Sequence, residues 1–523
     1  MTCQLQAAVL KVERDLALGH SPEALDAVVA GARRAMQSQL ADRASPAMAV
    51  CGSTRLPTSS ERSSHSSCPI IVVDVGGSTL RVGLVNVDPK TGDLGGTKTN
   101  PNTLKGGCPS REWDLSGCQQ MSGREVFAWL AGRIREAVAE HYVTTTEASV
   151  TLLSDKENQN INGNIHYNNT CWPVAVSWSF PVIPKDHGRS ASVVDMGKGW
   201  ARVASDIVGW DLRAAFAQGF ADAAEKDANS LKRLPQMEVC AVVNDSEAVL
   251  LSAAYRDPYT KIALILGTGV NAAALLPSPF PGPAEFIIVN TELSLLGGSA
   301  DTSQDLDQNY LPTTSWDKQV DAASQRPGFQ PLETRVGGKH LGELVRRCLV
   351  HVSNGNKSAW NNVPPYGLST KTMAYATALE DAEQVRKYLE THVPRLVLEN
   401  TDHNAVRLAV RVFDAVMSRA ASLVAAHLVA LAQLISLPTT SCPQPPIPTS
   451  KLFSPLVIAC CGSVVVKYPG FMAQCQNSVT QLAKRHLPKG VDIRLSVGAD
   501  GSLYGPAVAC LLNMQSSEST RHN

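Results

Sequence analysis

The chain repeats one pattern of apolar and polar positions in two places. An apolar run leads into a short turn of glycine and hydroxyl residues, and a second apolar run follows. The first turn comprises residues 74–81 (DVGGSTLR), after an apolar run at 70–73, and the second comprises residues 267–271 (GTGVN), after an apolar run at 262–266. Short apolar runs separated by glycine are typical of buried strands joined in a hairpin. The pattern therefore predicts two β-hairpins of similar design.

The first turn carries the residue types of a phosphate site. Gly76 and Gly77 have no side chain, so backbone N–H groups there can approach an anion closely. Ser78 adds a hydroxyl, Arg81 adds a positive charge, and Asp74 ends the preceding strand with a carboxylate that could hold a hydrated metal ion. A glycine pair alone is more commonly part of an ordinary tight hairpin. The prediction of a phosphate and Mg²⁺ site therefore depends on the second turn.

The second turn supports this prediction because it has the same design. Gly267 gives access to the backbone and Thr268 offers a hydroxyl. Two such turns facing each other could hold the β- and γ-phosphates of a nucleotide. From the turns alone, two unrelated hairpins remain an equal alternative.

A carboxamide and a carboxylate follow a third apolar run. Residues 239–243 predict a buried strand, residues 248–255 predict a helix, and Asn244 and Asp245 lie between them. Asn and Asp are favoured helix caps, which is the structural alternative. A helix N-terminus also favours the ionised carboxylate, so Asp245 could act as a general base beside a substrate held by Asn244. The position of this motif between the two phosphate turns favours the base.

With these and several further segments, the chain resembles the hexokinase family, in its fungal branch. The matching segments, in the family's order, are 74–81 (DVGGSTLR), 179–181 (SFP), 197–200 (GKGW, where the family has TKGF), 244–246 (NDS), 267–271 (GTGVN), 290–292 (NTE), 327–333 (PGFQPLE), 340–344 (HLGEL), 462–463 (GS), 467–471 (KYPGF) and 500–502 (DGS). So many ordered matches leave chance out of consideration.

The resemblance implies a role for each matching residue. Asp245 is the implied catalytic base. The implied sugar-binding residues are Ser179, Lys198, Asn244, Asp245, Asn271, Glu292 and Glu333. The implied nucleotide-binding residues are Asp74, Gly76, Gly77, Ser78, Arg81, Gly267, Thr268, Gly462, Ser463, Gly501 and Ser502. ATP and Mg²⁺ are also implied, with the metal held through ATP near Asp74 and by no side-chain motif of its own.

Several positions depart from the family's pattern. Thr79 stands where the family usually has Asn, Gly197 where it has Thr, and Cys461 where it has Asp. Gly197 removes a hydroxyl and opens space beside Lys198. This change and the form of segment 327–333 look more like the family's N-acetylglucosamine kinase and regulatory subgroups than its glycolytic enzymes. They predict weak glucose phosphorylation and better use of an N-substituted hexose.

Strands alternate with helices through most of the chain, which indicates an α/β fold. The resemblance implies the actin-like ATPase fold, a duplicated ribonuclease H-like architecture with two lobes around a central cleft. The predicted domains are N-terminal helices and a linker at 1–69 that pack on the large lobe, a small lobe at 70–209, a large lobe at 210–496, and a final helix at 497–523 that returns to the small lobe. Polar stretches at 52–67, 144–171 and 436–454 are predicted to be loops or insertions.

The composition limits the classes of binding partner and the cellular compartment that we expect. The 523 residues include 47 Lys and Arg against 47 Asp and Glu, so no net charge favours nucleic acid or an anionic membrane surface. The 13 cysteines are an odd number without a C-x-x-C pair, which favours free thiols in a reducing compartment. Polar residues, Arg419 among them, interrupt the apolar stretch at 415–437, which predicts a buried helix. We expect a cytoplasmic monomer or homodimer without a membrane span, whose partners are a sugar and ATP.

The sequence therefore predicts an ATP-dependent hexose 6-phosphotransferase acting on a hexose or on N-acetylglucosamine. The alternative is a non-catalytic sugar sensor or transcriptional regulator on the same fold, for which the mitochondrial surface or the nucleus is also a possible location. The altered positions 79, 197 and 461 suggest this alternative, and the retained base and sugar-binding residues argue against it. An acetate-kinase-type or actin-like ATPase needs no sugar-binding set and fits poorly.

Overall fold

The computed structural model describes residues 2–18, 20–42, 45, 47–52, 55–57, 69–85, 110–154, 171–196, 200–226, 234–280, 286–298, 309–353, 358–398, 403–436, 455–498 and 501–519. The strands are β1 (Ala49–Val50), β2 (Ile70–Val75), β3 (Thr79–Val85), β4 (Ser110–Asp114), β5 (Cys171–Trp178), β6 (Val182–Lys185), β7 (Ser190–Val193), β8 (Gln236–Val243), β9 (Thr260–Leu266), β10 (Val270–Pro277), β11 (Phe286–Asn290), β12 (Leu456–Cys461) and β13 (Ile493–Val497). The helices are α1 (Thr2–Leu18), α2 (Pro22–Ala41), α3 (Gly123–Ser154), α4 (Ala201–Ile207), α5 (Leu212–Lys226), α6 (Asp245–Arg256), α7 (Ser315–Ala322), α8 (Glu333–Val336), α9 (Gly338–Val352), α10 (Thr370–Thr377), α11 (Ala382–His392), α12 (His403–Ser436), α13 (Ser463–Lys467), α14 (Phe471–His486) and α15 (Gly501–Ser519).

The chain forms two compact units. The first unit comprises Met1–Ala49 and Tyr259–Gly498, and the second comprises Val50–Pro258 and Ala499–Asn523. The predicted boundary at 209/210 differs from this division, since residues 210–258 fall in the second unit. The physical reason is that β8 pairs with β5 in the sheet of that unit and α5 packs against α3.

The second unit is built on a five-stranded sheet in the order β4-β3-β2-β5-β8. β2 and β3 form the first predicted hairpin, whereas β2, β5 and β8 run parallel to one another. Successive side chains of a strand point to opposite faces of its sheet. Ile71 and Val73 accordingly pack into a core that includes Phe127 and Phe216 of the helices α3 and α5. Asp74 lies on the other face, the face that also contacts α15.

The first unit is built on a six-stranded sheet in the order β1-β11-β10-β9-β12-β13. The antiparallel pair β9 and β10 forms the second predicted hairpin, and β9, β12 and β13 run parallel. The helices α1, α2, α9 and α14 pack around the long helix α12.

Helix α12 contains the apolar stretch that was predicted to be a buried helix, and it is long and apolar enough to cross a membrane. Nevertheless 89% of its most apolar window is buried inside the unit. Its Arg419, which is 1% exposed, donates from Nη1 and Nη2 to Asp317 Oδ1 and Oδ2 at 3.0 and 2.8 Å. A buried, doubly hydrogen-bonded ion pair satisfies the charge that interrupts the apolar pattern.

The predicted loop at 144–171 is wrong over its first part, because α3 continues to Ser154. Residues 144–154 contain neither glycine nor proline, so nothing in them ends the helix. Residues 155–170 of that stretch and residues 437–454 of the stretch at 436–454 lie outside the described residues, as does most of the stretch at 52–67.

Candidate functional site

One edge of the second unit's sheet collects the residues that the sequence separates widely. β2, β5 and β8 are neighbouring parallel strands, so their carboxyl ends meet at the same edge. The first glycine turn follows β2, Ser179 follows β5, and Asn244 and Asp245 follow β8. Ser179 N also donates to Val75 O at 3.1 Å, which ties the end of β5 to the end of β2. We call these residues the first group.

The carboxylate of Asp74 is held by an arginine from the adjacent strand. Asp74 and Arg81 are register partners in the hairpin. Arg81 donates from Nε and Nη2 to Asp74 Oδ2 at 3.1 and 2.7 Å, and its Nη2 also donates to Ser502 Oγ of α15. Burial raises the pKa of Asp74, while the charge and hydrogen bonds of Arg81 oppose that shift. Two predicted nucleotide-binding segments, 74–81 and 501–502, are thus joined in one cluster.

The tip of the first turn is exposed and has little around it. Gly76 N donates to Thr79 O at 3.0 Å, and Leu115 N donates to Ser78 O at 2.9 Å. A methyl group added at Gly77 would meet no atom within 4 Å among the described residues. This open space is what a turn needs if its backbone N–H groups are to meet a phosphate.

Asn244 and Asp245 occupy different positions at the start of α6. Asn244 is the N-cap of α6, and its Oδ1 accepts from Ser246 N and Ser246 Oγ at 3.0 and 2.8 Å. Asp245 is the first residue of the helix and is partly exposed, and its Oδ1 accepts from Ser246 N at 2.7 Å. The cap is therefore provided by Asn244, and the helix N-terminus favours the ionised form of Asp245.

The first unit holds a second group of polar residues at the predicted sugar-binding positions. Asn271 on β10 and Asn290 at the end of β11 are joined by a bond from Asn271 Nδ2 to Asn290 Oδ1 at 3.0 Å. Both amides also point to Glu292, whose Oε1 lies 2.8 Å from Asn290 Nδ2 and 3.5 Å from Asn271 Nδ2. Glu292 adopts the left-handed backbone conformation, with φ +43°. A non-glycine residue rarely takes this conformation, and such strain is concentrated at functional sites.

Burial raises the pKa of Glu292. The hydrogen bond from Asn290 lowers that pKa, the nearby charge of Glu333 raises it again, and Asn271 lowers it. Two carboxylates and two carboxamides in one place present several acceptors and donors, which is the chemistry that recognises vicinal hydroxyls.

Glu333 lies directly against the second glycine turn. A methyl group added at Gly269 would lie 2.2 Å from Glu333 Oε2, so this carboxylate occupies the place that a side chain at position 269 would take. The turn is also held by the start of α9, since Gly338 N donates to Gly267 O at 2.8 Å and Lys339 N donates to Thr268 O at 3.0 Å. The predicted phosphate turn and the predicted sugar-binding residue Glu333 are therefore one packed assembly.

The predicted nucleotide-binding residues Gly462 and Ser463 lie beside the same turn. β9 and β12 are parallel neighbours, so residues 267–269 and 462–463 follow adjacent strand ends. A methyl group at Gly267 would come within 3.5 Å of Ser463 N, and one at Gly462, where φ is +105°, would lie 2.4 Å from Leu266 O. In the second unit, Gly501 packs against α6, with the corresponding methyl only 2.6 Å from Val249 Cα. Gly462 and Gly501 therefore permit close packing, each within its own unit, of the segments that carry Ser463 and Ser502.

Some predicted residues cannot be placed, and others were missed. Gly197, Lys198 and Asp500 lie outside the described residues. Sequence reasoning did not include Asn290 among the site residues, although it ends an apolar strand two positions before Glu292 as part of the NTE segment. It also did not assign a role to Trp200. Among the described residues, no cluster of three or more His, Cys, Asp or Glu side chains could hold a metal ion.

Comparison with known proteins gives matches over nearly the whole chain. Two family models, both described as Hexokinase, match residues 9–255 and 261–512. A glucokinase from Aspergillus niger is 26% identical over 502 residues, which cover 90% of this chain and 89% of that protein.

Solved structures show the same fold. A hexokinase crystal structure superimposes with a TM-score of 0.67 at 19% identity and covers 97% of this chain and 99% of its own. A hexokinase from Schistosoma mansoni complexed with glucose superimposes with a TM-score of 0.63 at 20% identity and covers 98% of this chain and all of its own. The predicted actin-like ATPase fold is confirmed.

Proposed function

Because the chain belongs to the hexokinase family of sugar phosphotransferases, we propose that it is an ATP-dependent hexose 6-phosphotransferase. It transfers the γ-phosphate of ATP to the C6 hydroxyl of a hexose or of N-acetylglucosamine. The observation that carries this proposal is the edge of the second unit's sheet, where the first glycine turn, Ser179 and the pair Asn244 and Asp245 follow three neighbouring parallel strands.

The reaction needs one proton acceptor, and Asp245 supplies it. As the C6 oxygen attacks the γ-phosphorus, its proton passes to the Asp245 carboxylate. The bond from the γ-phosphorus to the oxygen that bridges it to the β-phosphate breaks, and ADP leaves with that oxygen. A carboxylate at a helix N-terminus is ionised at neutral pH and is therefore ready to accept the proton. Most of the remaining rate acceleration comes from positioning and from donors to the transferring group.

The donors to the phosphates come from the glycine turns. The backbone N–H groups around Gly77 and the hydroxyl of Thr268 suit phosphate oxygens. The Asp74 carboxylate, which lies beside Ser502, would hold a Mg²⁺ ion that accompanies the nucleotide, because Mg²⁺ sites at phosphates use only one or two protein carboxylates. When bound, Mg²⁺ neutralises charge on the phosphates of ATP.

Sugar binding is assigned to Ser179, Asn244 and Lys198, and to the second group with Asn271, Glu292 and Glu333. The amides of Asn271 and Asn290 orient the Glu292 carboxylate, so its second oxygen faces a fixed direction. A site that hydrogen-bonds sugar hydroxyls in this manner rejects analogues that leave its buried acceptors unpaired.

The preferred sugar is proposed to be N-substituted, with N-acetylglucosamine as the first candidate. The basis is Gly197, which has no side chain beside Lys198. Glucose, mannose, fructose, glucosamine and N-acetylglucosamine should be compared by kcat/KM on one preparation. N-acetylglucosamine should lead, and Gly197→Thr should shift the preference towards glucose. A wild-type enzyme that favours glucose by an order of magnitude would refute this choice of sugar but leave the kinase proposal intact.

The kinase proposal itself is tested by ADP release with the same sugars and by Asp245→Asn. This substitution keeps the shape of the side chain and should lower kcat by about 10²–10⁴-fold, the usual contribution of a general base. Asp257→Asn, at the C-terminal end of the same helix, is the matched control and should leave kcat unchanged. Near wild-type turnover in Asp245→Asn would remove the base assignment. Sugar binding without ADP release on any sugar would indicate the non-catalytic sensor instead.

A further inference from the structure

Trp200 reaches the first glycine turn from a distant part of the chain. It stands just before α4 and is 1% exposed. Its indole Nε1 donates a hydrogen bond to the carbonyl oxygen of Gly77 at 2.9 Å, although the two residues are 123 positions apart. The turn tip is otherwise open, so this bond is a specific constraint on an exposed peptide.

The indole ring is fixed by its aromatic neighbours. Its centroid lies 5.8 Å from that of Phe180, at an interplanar angle of 71°, and Phe180 in turn lies 5.6 Å from Trp178. Edge-to-face contacts of this kind stabilise one orientation of each ring. The direction of the Trp200 N–H bond is therefore determined by the core.

The bond to Gly77 also determines where the next N–H group points. The carbonyl of Gly77 and the N–H of Ser78 belong to one planar trans peptide, so they point in opposite directions. When Trp200 holds the carbonyl towards the core, it turns the Ser78 N–H away from the core. The bond from Leu115 N to Ser78 O fixes the following peptide in the same way.

We propose that Trp200 is a positioning residue for nucleotide binding, which orients the Gly77–Ser78 peptide so that the Ser78 N–H meets a phosphate oxygen of ATP. The role rests on the proposed kinase function, but it concerns a residue outside the predicted sugar and nucleotide sets. Phe180 belongs to the segment 179–181 that begins with Ser179, so Trp200 also joins that segment to the phosphate turn. A phenylalanine at position 200 would keep the packing and lose the donor.

The test is Trp200→Phe, with Trp178→Phe as the matched control. Trp178 is a fully buried indole of the same aromatic cluster, and its Nε1 has no hydrogen-bond partner among the described residues. Trp200→Phe should raise the KM for ATP about fivefold, the factor expected for one lost hydrogen bond, and change the KM for sugar less than twofold. Trp178→Phe should leave the KM for ATP unchanged, whatever it does to the melting temperature.

Hydrogen exchange provides a readout that does not depend on activity. In Trp200→Phe without ligand, the peptide that contains residues 76–79 should exchange faster than in the wild type, and in Trp178→Phe it should not. Unchanged exchange together with an unchanged KM for ATP would overturn the proposal. Equal effects of the two substitutions on both KM values would also overturn it, because they would show a general packing role.

The proposal can fail separately from the kinase function. If the wild type phosphorylates no sugar, the binding of a non-hydrolysable ATP analogue with Mg²⁺, measured by calorimetry, replaces the KM for ATP. Weaker binding in Trp200→Phe alone would then support the role of Trp200 while the kinase proposal falls. No nucleotide binding by the wild type would overturn both.

Discussion

The two glycine turns share a sequence pattern, yet the structure uses their glycines for different purposes. At Gly77 an added methyl group would meet nothing within 4 Å among the described residues, whereas at Gly269 it would lie 2.2 Å from Glu333 Oε2. The first glycine leaves space that a ligand can enter. The second leaves space that another part of the protein already fills.

The two turns are also held by different bonds. In the first, a backbone bond from Leu115 N to Ser78 O is joined by side chains, through the Trp200 indole on Gly77 and through the Asp74–Arg81 pair of the adjoining strands. In the second, backbone N–H groups of Gly338 and Lys339 bind two consecutive carbonyls of the turn. A glycine in a motif is thus explained by what occupies the place of its missing side chain, and the motif alone does not reveal this.

The largest effect expected from this comparison is that of Gly269→Ala. The new methyl group must displace the Glu333 carboxylate, and a displacement of about 1 Å in a reacting site can lower kcat/KM roughly 10²-fold. The loss should be in kcat/KM for sugar, measured at saturating ATP. Gly132→Ala, at a helical position where nothing lies within 4 Å of the added methyl, is the control and should have no effect. A fully active Gly269→Ala would show that the second turn is as open as the first.

The next largest effect is on the KM for ATP, and it distinguishes the hydroxyl of Thr268 in the second turn from that of Ser78 in the first. Thr268 is exposed at the tip of a turn whose carbonyls are already bonded to α9, so its hydroxyl is available as a donor to phosphate. Thr268→Ala should raise the KM for ATP about tenfold, the factor for a hydrogen bond to a charged group, and change the KM for sugar less. Ser78→Ala should raise the KM for ATP less, because the first turn is assigned to backbone donors. Equal effects would mean that the turns bind phosphate alike.

The sequence was sufficient to predict the features that depend on residues close together in the chain. Each hairpin follows from an apolar run, a turn rich in glycine and a second apolar run, and both are present at the predicted positions. The change from strand to helix at Asn244 and Asp245 is likewise present where the sequence predicted it, between the strand at 239–243 and the helix that follows.

The sequence was insufficient where a contact depends on packing between distant segments. The bond from Trp200 to Gly77 requires the aromatic cluster to form first, and no local pattern encodes it. The close contact between the Glu333 carboxylate and Gly269 likewise depends on how α8 packs against the β9–β10 hairpin. The boundary at 209/210 differed from the structure for the same reason, since only strand pairing reveals that β8 belongs with β5.

A smaller effect is expected for Gly77→Ala, which tests whether the open space beside the first turn receives a phosphate. Its φ lies outside the left-handed region, so alanine can adopt the backbone conformation. The melting temperature should therefore stay the same, while the methyl group hinders phosphate and raises the KM for ATP roughly threefold to fivefold. Measuring both quantities on one preparation separates the two effects. A lower melting temperature with an unchanged KM would show that this glycine, like Gly269, serves the fold.

The smallest effect concerns two carboxylates whose pKa is raised, Asp74 of the first group and Glu292 of the second. Burial raises the pKa of both Asp74 and Glu292. Asp74 faces the Arg81 guanidinium at 2.7 Å, whereas the hydrogen bonds that Glu292 accepts come from the amides of Asn290 and Asn271. The charge of Asp74 is compensated by a cation, and the charge of Glu292 by neutral donors. Removing the negative charge should therefore change the melting temperature differently at the two positions.

Glu292→Gln should raise the melting temperature at pH 8 by ~2 °C, the order expected for 1 kcal/mol in a large domain. A glutamate whose folded pKa is raised holds its proton more tightly when folded, so stability falls as pH rises from its ordinary range to the raised value and stays lower above it. The gain in Glu292→Gln should therefore shrink as the pH is lowered through that range. Asp74→Asn should give no such gain, because it also removes two charge-assisted hydrogen bonds from Arg81. The measurement is the melting temperature of both variants and the wild type from pH 5 to pH 8. If the melting temperature of Glu292→Gln does not rise, or rises equally at every pH, the two amides compensate the charge of Glu292 as fully as an arginine would.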